Sequence, residues 1–172
     1  MRFAALLVTC LLVSAIAAAC GIFAISEMQL RDVRYDSPFD HPIPDADASI
    51  DHGRYIARTR GCFGCHGQAL EGKGFGDQWD WPARAVAPNL AKYAREHDDA
   101  TLEAAIRQGI GAGGKALVSM PSYNFARLSD ADTAALIAFL RAAPVVEADL
   151  PSPKLGWRAR WDLAFGGEMH YE

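Results

Sequence analysis

Positions 3–25 are free of charged side chains and follow Arg2. Such a run of 23 residues is long enough to cross the roughly 30 Å hydrocarbon layer of a bilayer as a helix. The pattern then changes: residues 27–47 are rich in Asp, Pro and Arg with little periodicity, which predicts an extended linker. Helical spacing returns at Ile50, Gly53 and Ile56/Ala57, one stripe of a helix over residues 50–60 that Asp47 or Ser49 can cap. Another helix is expected from Asp98 or Asp99, with Leu102, Ala105 and Ile106 on one side and an end near Gly109. A further one spans residues 128–141, where Ser129 followed by Asp132 has the form of a capping box. Beyond a Pro-rich break at 144–153, Trp157, Trp161 and Phe165 recur every four residues and predict a short helix with an aromatic face. That face is expected to close over the main domain as added core. Docking of a partner subunit or contact with a membrane surface are its other readings.

The N-terminal run admits three fates. It reads first as an uncleaved membrane anchor, then as a lipoprotein leader in which Ala17-Ala18-Ala19-Cys20 is the processing site, then as a cleaved signal peptide. With Arg2 on the cytoplasmic side, the remainder of the chain faces the bacterial periplasm. That remainder, about 145 residues, is enough for one domain. The formal net charge of −4, with Lys and Arg dispersed, gives no reason to expect a nucleic-acid partner. No Ser/His/Asp arrangement, Walker loop or dinucleotide fingerprint is apparent, so no small-molecule substrate is expected.

The candidate chemistry lies in Cys62-Phe63-Gly64-Cys65-His66. Two thiols three positions apart, followed at once by an imidazole, form an attachment site for c-type haem. The thiols add across the two vinyl groups and His66 supplies the proximal iron ligand. A thioredoxin-like dithiol would need β-branched strands of a βαβ unit around it, and a zinc site would need further ligands that the sequence does not supply. An iron that shuttles electrons also needs a sixth ligand downstream. Met120 is the only methionine between His66 and the terminal tail, and Pro121 stiffens the chain just after it. Gly109, Gly111, Gly113 and Gly114 precede it and would let the chain pass close to a flat cofactor.

Together the haem motif, the short helix before it, Met120-Pro121 and the helix over 128–141 resemble class I cytochromes c, a small all-helical monohaem family. The resemblance covers about residues 48–142. It implies an all-α class I cytochrome c fold, which the apolar run precedes as an N-terminal membrane-spanning helix or signal segment. The expected division is 1–26 anchor or signal, 27–47 linker, 48–143 haem domain and 144–172 C-terminal extension. It also implies that the Pro88 carbonyl accepts from the second ring nitrogen of His66, and that Gly53 meets Phe139 or Leu136 where the first and last helices cross. Trp79, Trp81, Arg84 and Tyr123 are candidates for walling the haem edge or meeting its propionates, since indole, guanidinium and phenol all donate hydrogen bonds.

The function so implied is one-electron transfer by a single haem c, bound through Cys62 and Cys65 and ligated by His66 and Met120. The setting is a membrane-tethered periplasmic cytochrome, either a free carrier or the haem subunit of a dehydrogenase or respiratory complex. Its partners are then redox proteins, among them a membrane oxidoreductase, and no catalytic activity of its own is expected. The alternatives are a haem enzyme or gas-binding sensor from which Met120 is displaced, and a structural subunit whose haem only stabilises the fold.

Overall fold

The computed structural model describes residues 2–32, 50–76 and 83–166. Helix α1 (Arg2–Arg31) is one continuous rod whose first two-thirds are exposed on all sides. It is long and apolar enough to cross a membrane, as an anchor or a signal sequence would be. It continues through Glu27 to Arg31, taking in the first five residues of the expected linker. Glu27 and Arg31 pair one turn apart at 3.2 Å, so charges that read as linker instead support a last helical turn.

The remaining helices build the compact part. They are α2 (Ile50–Thr59), α3 (Cys62–His66), α4 (Leu90–Glu96), α5 (Asp99–Glu103), α6 (Asp130–Ala142) and α7 (Trp157–Ala164). Two short antiparallel ladders interrupt them: β1 (Lys73–Gly74) with β2 (Val86–Ala87), and β3 (Ile110–Gly111) with β4 (Lys115–Ala116). Local chemistry sets the helix starts. Asn89 Oδ1 accepts from Lys92 N at 3.0 Å, Asp98 Oδ1 from Thr101 N at 2.9 Å and Ser129 Oγ from Asp132 N at 3.1 Å, each satisfying an orphan donor of a first turn. The Asp132 carboxylate also meets His52 Nε2 of α2 at 2.7 Å, so the cap of α6 ties the first and last helices of the domain together. That hydrogen bond, followed by the one from Ser129, holds the Asp132 pKa below its ordinary 3.8.

After Glu103 the backbone widens into a π-helical turn, Ala104–Gln108, which ends at Gly109 in the left-handed region. The glycines that follow turn the β3–β4 hairpin, and Ala112 N donates to Tyr93 Oη at 3.0 Å. Gly113 and Gly114 sit in that turn with positive φ, which glycine adopts without strain.

The core lies where α2 crosses α6. Ile56, Ala57, Leu136, Phe139 and Leu140 are buried there with Leu102 and Ile106 from the α5 region, while Ile50 remains 44% exposed and drops out of the expected stripe. Gly53 lies so close to α6 that an added Cβ would stand 2.0 Å from the Ala135 carbonyl oxygen and 2.7 Å from Phe139 Cβ. The backbone partner is Ala135, one position before the expected Leu136, with Phe139 as the side-chain partner.

Because that clash is with backbone, Gly53→Ala should already push the helices apart. Overpacking of about 1 to 3 kcal/mol outweighs the ~1 kcal/mol that alanine gains in helix propensity, so a lower denaturant midpoint is expected, lower still for Gly53→Val. Equilibrium urea unfolding measures it, and a midpoint equal to that of the unmodified protein would contradict a backbone contact at this crossing.

Candidate functional site

Cys62 to His66 form the five residues of α3, a single turn closed by Gly67. Gly67 has φ 85°, and a Cβ there would meet the Glu71 carboxylate, so glycine is needed to turn the chain away. His66 is 7% exposed, and its Nδ1 lies 2.8 Å from the Pro88 carbonyl oxygen. The ring therefore donates through Nδ1 and keeps its Nε2 lone pair. Burial holds the His66 pKa below the ordinary 6.5, opposed in part by the Pro88 carbonyl, so the imidazole is neutral at pH 7, as a metal ligand must be. Pro88 is held by its surroundings: β2 ends at the residue before it, and Asn89 after it caps α4. Cys62 is buried in the core, which pushes its thiol up to about 11.

Beside α3 lies a largely apolar cavity of ≈420 Å³. Cys65, His66, Arg84, Pro88 and Met120, drawn from three separated stretches of sequence, all line it. Met120 also packs against the core cluster, and its carbonyl accepts from Ser122 N at 2.8 Å in the turn that Pro121 opens. Ser122 Oγ donates to the Ala105 carbonyl at 3.3 Å, which fastens the methionine loop to the π-helical turn. Ala105 and Ile106 of that turn face the cavity as well. A neutral imidazole and a thioether on the walls of one apolar cavity, with a thiol at its edge, suit a flat hydrophobic cofactor carrying a metal of intermediate softness. Among the described residues, no group of three or more His, Cys, Asp and Glu side chains is arranged to hold a bare metal ion.

The remaining sequence candidates divide. Tyr123 is 57% exposed and lies outside the cavity lining, while Trp79 and Trp81 lie outside the described residues. Cys62 faces the core cluster and is not among the lining residues.

Residues 50–144 match the cytochrome c family. The chain belongs to that family. Membership brings a covalently bound haem c, which Cys62 and Cys65 of the Cys-x-x-Cys-His motif fit, and one-electron transfer as its chemistry. Proteins of similar sequence include the cytochrome c subunits of quinone alcohol dehydrogenases. That of Gluconobacter oxydans (strain 621H) is 34% identical over 137 residues, covering 73% of this chain and 28% of its own length. Those of Gluconacetobacter polyoxogenes and Komagataeibacter europaeus are each 29% identical over 133 residues, covering 70% of this chain and 28% of theirs. This cytochrome thus spans little more than a quarter of the length of those relatives. No solved structure matches it.

The sequence missed the part that the two chain ends play in the cavity. Glu27 and Leu30 of α1, Pro153 to Leu155 of the tail and Arg160 of α7 all line it, as does Lys115, which pairs with Glu27. The tail is strapped down along its length. Asn89 Nδ2 donates to the Val146 carbonyl at 2.8 Å, Arg84 Nη1 to the Ser152 carbonyl at 3.1 Å, and Arg84 and Lys154 exchange two backbone hydrogen bonds of 3.0 Å. Arg84 therefore works partly as a peg for the tail. The only sequence signal for this was the Pro-rich stretch at 144–153, which suits an extended strap as well as a spacer.

Truncation after Asp149 removes the Ser152 and Lys154 bonds to Arg84 and takes Leu155 from the cavity wall, so it should destabilise the holo-protein by at least about 2 kcal/mol. Denaturant unfolding followed by the haem absorbance tests this. Unchanged stability would mean that the strap is not part of the folded wall.

Proposed function

We propose that this chain is a membrane-anchored periplasmic cytochrome passing single electrons to or from a membrane oxidoreductase, with Cys62 and Cys65 as the residues that would attach the haem and His66 and Met120 as those that would hold its iron. The observation that carries the proposal is the meeting of His66 and Met120, 54 positions apart by their numbers, on one apolar cavity beside the attachment turn. When bound, the haem takes up and releases one electron at its iron.

The chain's own residues prepare that exchange. His66 is kept neutral by burial and aimed by the Pro88 carbonyl, so neither its tautomer nor its ring plane needs to change. Met120 would offer a soft, uncharged donor, and a thioether ligand raises the potential. The largely apolar walls would disfavour the more positive ferric state, shifting the potential the same way. The division 1–26 anchor, 27–47 linker, 48–143 haem domain and 144–172 extension is adopted with one adjustment, the anchor helix being continued to Arg31.

The anchor reading rests on the length and apolar surface of α1, and on Ile22, Ser26 and Leu30 near its end, which are buried when the whole chain is folded. Cleavage at or before Cys20 would leave that buried end as a short stub. The relatives are subunits of quinone alcohol dehydrogenases, so a quinone-linked dehydrogenase is the class of partner that the similarity favours.

Three outcomes are expected. Haem staining after denaturing electrophoresis should weaken for Cys62→Ala or Cys65→Ala and vanish for the double variant; covalent haem persisting in the double variant would reject the attachment site. Met120→Ala should lose the weak ferric band of sulfur ligation, bind carbon monoxide readily and fall in potential. An unchanged spectrum and potential would remove Met120 from the iron, whereas ready carbon monoxide binding by the unmodified protein would favour a gas-binding role. Membrane fractions should keep the protein through high-salt washing and release it in detergent, and mass spectrometry should find the N-terminal segment retained. Recovery wholly in the soluble fraction would reject the anchor.

A further inference from the structure

Helix α7 has two unlike faces. Ala159 and Leu163 are buried on the side that packs against α1, where Ile22, Ser26 and Leu30 are buried in turn. Arg160 fastens this contact: its guanidinium lies 3.9 Å from the centre of the Phe23 ring, donates to Ser26 Oγ at 3.0 Å and stands 3.9 Å from the Glu27 carboxylate. Roughly opposite, Trp157, Trp161 and Phe165 are 53%, 50% and 62% exposed, with the last two rings 4.5 Å apart. The adjacent Arg158 is exposed too. The structure therefore overturns the expectation that the aromatic face is added core. The small side chains face inward and the large ones outward.

Three clustered aromatics are a costly surface to leave in water. What covers them is indicated by where α7 is fixed. At 1.5 Å per residue, about twenty residues from Phe3 fill a hydrocarbon layer of roughly 30 Å, so α1 emerges near Phe23. Arg160 grips α1 at Phe23, Ser26 and Glu27, the first turn beyond that boundary. Helix α7 thus sits at the end of the apolar span, at the level where lipid headgroups meet acyl chains. Indoles are enriched at that level because the ring is apolar and its N–H is a donor, and arginine beside them suits lipid phosphates.

We propose that α7 is an interfacial helix that seats the haem domain on the outer leaflet, with Trp157, Trp161 and Phe165 in the headgroup layer. The proposal rests on the reading of α1 as a membrane anchor. It adds a second attachment that fixes the height and tilt of the domain, whereas a single helix would leave it to swivel. Because Glu27, Leu30 and Arg160 also line the haem cavity, the seat holds that side of the cavity close to the membrane plane.

The test uses the full-length ferrous holo-protein, labelled with 5-fluorotryptophan, in detergent-free nanodiscs of phosphatidylcholine and phosphatidylglycerol. Fluorine NMR is recorded with and without a lipid carrying a nitroxide at the headgroup level. Trp157→Phe and Trp161→Phe identify the two resonances, and neither change removes an aromatic ring. Both resonances should lose most of their intensity in the nitroxide discs and recover when ascorbate reduces the label. Resonances that keep their intensity while the protein co-elutes with the discs would overturn the proposal and return the aromatic face to a protein partner. Failure to co-elute with the discs after detergent removal would instead overturn the anchor reading, and the proposal with it.

Discussion

The approach of two backbones at Gly53 governs much else in this molecule. With no Cβ between them, α2 and α6 lie close enough for Ala135 and Phe139 to pack directly against the glycine. That spacing sets the direction in which α2 delivers the chain to Cys62, and it leaves Leu136 and Leu140 to close the core beneath α3. His66 is fixed one turn later, and the Pro88 carbonyl needs only to meet a ring already in place. The side chains of the cavity can be precise because the helices behind them cannot slide.

Much of this arrangement was readable from the residues. Covalent haem attachment demands fixed spacing, so the five residues from Cys62 to His66 were unambiguous. Asp98 and Ser129 also declared their helix starts, because an N-cap is a local hydrogen bond. Three non-local features were not readable. Periodicity gathers Trp157, Trp161 and Phe165 on one face of a helix but does not say which way the face points. Size suggested inward, yet Ala159 and Leu163 allow the closer approach to α1 and took the buried side. The last turn of α1 carries a local Glu27–Arg31 pair, but Glu27 also meets Lys115 and Arg160, each distant in sequence. The π-helical turn at Ala104–Gln108 leaves no pattern that separates it from an ordinary helix, although it carries Ala105 to both the cavity and Ser122.

The cavity is therefore more composite than a haem domain with attachments at either end. The matched region, 50–144, supplies the imidazole and the thioether, while residues outside it supply Glu27, Leu30, Leu155 and Arg160. A charge cluster joins these parts, with Glu27 shared among Arg31, Lys115 and Arg160. Its members are partly solvated, so its value lies more in fixing relative position than in stabilising energy.

The bond between Arg160 and Ser26 spans 134 positions and joins α7 to α1. Closing so long a loop brings little reward until the intervening helices are in place, so this junction belongs late in assembly. An order of events is thereby written into the cavity: the helices of the matched region can meet first, and the wall that carries Leu30, Leu155 and Arg160 is completed only when α7 reaches α1.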